Sequence, residues 1–91
     1  MPLSNRVVKA VKRGDVNAVV RWFDSGNSFD ARDDHGATIL MIASGCGDEA
    51  MVAALLQRGA SVDLQDKYGS TALMMASYKG RKEVVAALLQ R

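Results

Sequence analysis

The chain has one cysteine, one proline, one histidine and five aromatic residues among its 91 positions. Each shortage excludes something. A lone cysteine, Cys46, cannot close an internal disulfide, which fits a reducing compartment. A lone histidine, His35, leaves no second imidazole for a dyad or a metal site. No apolar run approaches the roughly 20 residues that a membrane span needs. The opening stretch, MPLSNRVVKAVKRG, lacks the apolar core of a secretion signal. The cytoplasm, or the nucleus, is therefore the expected compartment. The formal net charge of +2 is too small to point to nucleic acid by itself.

What remains is ordinary for a soluble protein: 48% apolar and 24% charged residues, enough apolar content to argue against disorder. Alanine, valine, leucine and methionine supply the bulk, which favours helices over sheets. At this size a single core is thin.

The sequence repeats itself. Gly36 and Gly69 stand 33 positions apart, as do Thr38 and Thr71, Leu40 and Leu73, Ala43 and Ala76, and Gly47 and Gly80. Leu55-Leu56-Gln57-Arg58 returns as Leu88-Leu89-Gln90-Arg91. One step back gives a weaker third copy, with Ala10, Gly14, Gly26 and Asp30 in register and Trp22-Phe23 in place of Leu55-Leu56. A constant offset without insertions marks a duplicated structural unit.

Each unit reads as two short helices and a turn. The first helix opens after Asn5, Thr38 or Thr71, whose side chains can accept from free amides of a first turn. It closes near Gly14, Gly47 or Gly80. Asp15 and Asp48-Glu49 stand at the positive end of the second helix, and Gly26 and Gly59 close it. The segments NSFDARDDHG and ASVDLQDKYG read as extended turns. Such helices are too short to be stable alone, so each must bury a face against its partner and the neighbouring unit.

The stretch DDHGATILMIASGCGDEAMVAALLQRGASVDLQ resembles the ankyrin repeat. The matching positions are Asp33, Gly36, Thr38, Leu40, Ala43, Gly47, Val52, Leu55, Leu56, Gly59, Ala60 and Val62. The next copy matches at Asp66, Gly69, Thr71, Leu73, Ala76, Gly80, Glu83, Val84, Val85, Leu88 and Leu89. The resemblance implies an all-α ankyrin-repeat solenoid of stacked helix-turn-helix units with short extended turns. It implies one domain over 1–91, with repeats at 1–32, 33–65 and 66–91. The family's proline is replaced by Ile39 and Ala72, its histidine by Met41 and Met74, and its second alanine by Ser44 and Ser77. Methionine packing is expected to stand in for the family's threonine–histidine hydrogen bonds between units.

The first unit carries Arg6, Lys9 and Arg21 where the others carry Ile39, Ile42 and Ala54, then Ala72, Met75 and Ala87. It reads as a polar end cap. The third unit has no such cap and breaks off before a closing glycine. The expectation is a fragment of a longer array, or an end covered by another chain or by self-association. The uncapped apolar face is expected around Met75, Val84, Ala87 and Leu88.

No catalytic, metal or cofactor site is expected. Asp33 and Asp34 adjoin His35 but do not converge with it on one ion, and His35 reads as a solvated turn residue. Cys46 stands at the end of a helix, where the dipole does not lower a thiol pKa. The glycines lack the spacing of a phosphate loop. The basic residues solvate helix ends, and Tyr78 beside Lys79 is the one pair that suggests nucleic acid.

The family resemblance implies ligands on the concave face, formed by the turn tips and the exposed sides of the first helices. Carried over, this names Arg32, Asp34, His35 and Ala37, then Gln65, Lys67, Tyr68 and Ser70, at the tips. At the helix ends it names Lys12 and Arg13, then Gly45 and Cys46, then Tyr78 and Lys79. The two clear copies differ from each other at these places. The surface is basic and carries two tyrosines suited to anchoring. The expected function is a non-catalytic protein-interaction scaffold for a protein or peptide of acidic character, with no membrane. The alternative is a docking or regulatory ankyrin segment of a larger enzyme or channel. Nucleic-acid binding ranks below both.

Overall fold

Of the six helices among the described residues, 3–90 of a computed structural model, five begin under a side-chain cap. Ser4 accepts from the Arg6 amide, Thr38 from Met41 and Thr71 from Met74, each at the head of the first helix of a pair. Asp15 accepts from Ala18 and Asp48 from Met51 at the head of a second helix. These caps satisfy amides that a helix start leaves free. The first cap lies one residue earlier than expected. Ser4 has extended backbone, whereas Asn5 is already helical. Arg91, the end of the repeated Leu-Leu-Gln-Arg phrase, lies outside the described residues.

The helices are α1 (Asn5–Lys12) and α2 (Val16–Asp24), α3 (Ile39–Cys46) and α4 (Glu49–Gln57), and α5 (Ala72–Tyr78) and α6 (Lys82–Leu89). No β-strand occurs among the described residues. None of the helices is long and apolar enough to cross a membrane. The first helices stack as α1, α3, α5 and the second helices as α2, α4, α6, and within each pair the two helices pack together.

Burial reveals which way each column of the repeat points. Arg6 is exposed, but Ile39 and Ala72 in the same column are buried. Trp22 is half-buried, whereas Leu55 and Leu88 are buried. These columns face backward, onto the preceding pair. A second set behaves oppositely. Met41 is 1% exposed and Met74 53%; Leu56 is 6% exposed and Leu89 67%. Leu40 and Val52 are likewise buried, and Leu73 and Val85 only half-buried. This set faces forward. Ala10, Ala43 and Ala76 are buried in all three pairs, where a small side chain lets helices approach closely.

The open face is therefore not the one expected. Val84 and Leu88 are buried, and Met75 and Ala87 half-buried, because their columns point back onto the second pair. The forward face of the third pair consists of Leu73, Met74, Ser77, Val85 and Leu89. These five repeat residue for residue the Leu40, Met41, Ser44, Val52 and Leu56 that the third pair covers. Methionine packing thus replaces the family's histidine at Met41 and not at Met74.

The first pair carries an aromatic cluster where the others carry leucines. Phe23 stacks on Phe29 with ring centroids 4.2 Å apart, and Trp22 meets Phe23 edge-on at 5.0 Å. Arg6, Lys9 and Arg21 are exposed on the backward side of the first pair. Between pairs, Arg58 reaches Asp24 at 2.6 Å, an exposed ion pair that contributes at most about 1 kcal/mol.

α6 begins differently from α2 and α4. Arg81 takes the position of Asp15 and Asp48 and supplies no cap. Its Nε donates instead to the Gly45 carbonyl at 3.2 Å, tying α6 to the end of α3. Gly47 makes room for it. A Cβ there would approach Arg81 Cδ to 2.7 Å, and φ is already +75°.

Two tests follow from the columns. Met41→Ala should cost about 2–5 kcal/mol, as core truncation does. Met74→Ala, the same residue in the same column, should stay within about 0.5 kcal/mol. Urea midpoints of the two variants check this. Ser44 Oγ is fully buried without a hydrogen-bond partner. Ser44→Ala should accordingly raise stability by about 1 kcal/mol, measured in the same way.

Candidate functional site

The turn tips are built around two carboxylates. Asp33 Oδ1 accepts from the His35 and Ala37 amides, both at 2.9 Å. Asp66 Oδ1 does the same for Tyr68 and Ser70, again at 2.9 Å. Each carboxylate folds the chain over itself, as aspartate does in turns. The tip residues are pushed outward, and Asp34, His35, Lys67 and Tyr68 are all exposed. Ala37 is the exception. It is buried, so of the turn-tip residues named from the sequence it offers no surface.

Neighbouring tips are joined. The Lys67 amide donates to the His35 carbonyl at 3.0 Å. A Cβ on Gly36 would come within 2.9 Å of that amide nitrogen, which is why this turn needs glycine. The Arg32 guanidinium donates to the Gly36 carbonyl at 2.8 Å and to the Gln65 carbonyl of the next turn. Gln65 Nε2 donates in turn to the Gly69 carbonyl at 3.1 Å. Arg32 and Gln65 are thus engaged in holding the tips in register.

The side chains left facing solvent form a compact group. The His35 and Tyr68 rings lie 6.5 Å apart and nearly parallel. Lys67 Nζ sits 5.3 Å from the Tyr68 ring centroid, within range of a cation–π attraction. Tyr68 is 71% exposed.

A second group gathers at the helix ends. Ser70, Tyr78 and Lys79 line a groove of about 460 Å³ together with Gly45, Met74 and Met75. Tyr78 is 88% exposed, and Lys79 follows it as the C-cap of α5. Cys46, adjoining Gly45 at the end of α3, is exposed and free. Met74 and Met75 belong to this groove but were not among the residues expected from the sequence. Nothing in the pattern marks Met74, because Met41 in its column is core, and Met75 is expected at the uncapped end instead. Arg81 was missed likewise; the clue was a cation where the repeat places an aspartate.

The first pair stands apart. Lys12 and Arg13 are exposed at the end of α1. Arg13 pairs with Asp15 at 3.4 Å and lines a separate groove with Arg6, Val7, Ala10, Ala18 and Trp22. The bond from the Ala18 amide holds the Asp15 carboxyl below its ordinary value, with Arg13 and Arg21 adding to this against a contribution from burial. Among the described residues no three His, Cys, Asp or Glu side chains come close enough to hold a metal ion.

Evenly stacked helix pairs with shared faces define a helical solenoid. A family model for ankyrin repeats in three copies matches residues 7–91, and the chain belongs to the ankyrin-repeat family. A search of curated proteins found no match.

The tie between turns gives a prediction. Arg32→Ala should lower stability by about 1 kcal/mol by releasing the Gly36 and Gln65 carbonyls. Amide exchange at Lys67 and Tyr68 should quicken with it. Unaltered exchange there would show that the guanidinium does not hold the tips.

Proposed function

We propose that the chain is a non-catalytic protein-interaction module, gripping a protein or peptide segment on the face made by the turn tips and first-helix ends. Ankyrin repeats are generally protein–protein interaction modules, which supports the coarse reading. Fold alone does not settle function. The observation that carries the finer reading is the division of labour along the repeat. Framework residues are buried or bonded, while His35, Lys67, Tyr68, Tyr78 and Lys79 stay exposed on one set of columns. Tyrosine offers large contact area at low entropic cost, and the lysines favour an acidic partner. The same face would serve a docking segment within a larger enzyme or channel.

The single cysteine provides the test. A photo-crosslinker on Cys46 should trap the partner. The same reagent at Gln57→Cys in a Cys46→Ser background should not, because Gln57 lies exposed on α4 away from the tips. Replacing Tyr68, Tyr78 and Lys79 with alanine should cut trapping about tenfold while leaving the melting temperature unchanged. Equal trapping from both positions would rule this face out.

The forward face of the third pair supports a second contact, self-association. Its five residues are of the same types as Leu40, Met41, Ser44, Val52 and Leu56, which are buried between the second and third pairs. The charged backward face, with Arg6, Lys9 and Arg21, suits it poorly, so two copies would meet forward face to forward face. Sedimentation should show a dimer that Leu89→Glu abolishes. A monomer at all concentrations would exclude this contact.

A further inference from the structure

Resting on the reading of this face as a protein-binding surface, we propose that the groove between the end of α3 and α5 seats one large apolar side chain of a bound segment, with Asp or Glu flanking it in that segment. The chemistry of the lining sets the first half of the proposal. Met74, Met75 and the Tyr78 ring form apolar walls, and Gly45 contributes no side chain. Met74 is half exposed and Tyr78 almost fully so, so the walls lie open. Thioethers on unbranched chains adapt to the shape of what enters and pack well against aromatic rings. The volume of about 460 Å³ admits an aliphatic or single-ring side chain with the backbone that carries it.

The charges set the second half. Lys79 lines the groove. Arg81 is tied to the lining residue Gly45, donating Nε to its carbonyl at 3.2 Å. None of the lining residues is acidic. The ion pairs found among the described residues, Arg13–Asp15 and Arg58–Asp24, involve neither of these two cations. Both therefore have donors free for a carboxylate. A basic segment would set like charges against Lys79 and Arg81, which adds discrimination to attraction. An apolar residue beside an acidic one satisfies walls and rim together.

The experiment pans phage-displayed random dodecapeptides against the full chain held by a terminal biotin. Enriched peptides should share one bulky apolar residue with Asp or Glu within two positions of it. A labelled synthetic peptide of that sequence should bind about tenfold more weakly to the pair Met74→Ser and Tyr78→Ser, and to the pair Lys79→Glu and Arg81→Asp. Met74 and Tyr78 are exposed, so the first double variant should keep the wild-type melting temperature; in the second, the cap that Arg81→Asp supplies, as Asp15 and Asp48 do elsewhere, offsets the lost bond to Gly45, and circular dichroism confirms that it is folded. Selected peptides that are basic or wholly polar, or no enrichment at all, would overturn the proposal. Binding that depends on Lys67 and Tyr68 but not on these pairs would overturn the groove and leave the wider face standing. Binding insensitive to both sets would remove both.

Discussion

Each helix pair in this protein depends on an apolar face that it shares with its neighbour. Helices of seven to nine residues do not hold together in water by their own hydrogen bonds. Here α3 packs on α5 and α4 on α6, and Met41, Val52 and Leu56 of the second pair and Ala72, Val84 and Leu88 of the third are all buried from water. Burial of this kind stabilises by about 25 cal/mol for each Å² of apolar surface removed from water. The contact recurs at a fixed step because the sequence does. Caps, glycines and turn aspartates then fix where each helix starts and stops, so that the shared faces meet in register.

Much of this architecture was legible in the residues. The step of 33 positions located the helix pairs, and Thr38, Thr71, Asp15 and Asp48 marked helix starts that the structure bears out. Glycines at the ends of the pairs have the positive φ that their position implied. Direction along the stack was less accessible. A helix flanked by two neighbours has apolar residues on two sides, and their order in the chain does not say which side faces which neighbour. The charged column of Arg6, Lys9 and Arg21 identified the backward face of the first pair correctly. In the third pair the sequence suggests an open face at Met75, Val84, Ala87 and Leu88, whereas these columns point back onto the second pair. Exposure separates the two sides: Met41 and Leu56 are buried, whereas Met74 and Leu89 in the same columns are exposed.

The surface was legible in part. The exposed tips follow from the family pattern, and His35, Lys67 and Tyr68 do come together. Arg32 and Gln65 stand among them in sequence but spend their donors on backbone carbonyls, a role that depends on the spacing of adjacent turns. Arg81 illustrates the same limit from the other side. Its substitution for a capping aspartate is visible in the repeat, whereas its bond to Gly45 requires the third pair to be seated on the second. Residues that maintain the stack and residues left exposed thus alternate within a few positions, and three-dimensional contact separates them.

The dependence of each pair on the next is tested most directly by residue-resolved hydrogen exchange in Leu88→Ala. Leu88 is buried where α6 meets the second pair, so its truncation weakens a shared contact. Protection should fall in α4 as well as in α6, with α2 affected less. Loss of protection confined to α6, with α4 as slow to exchange as in the unaltered chain, would contradict the account.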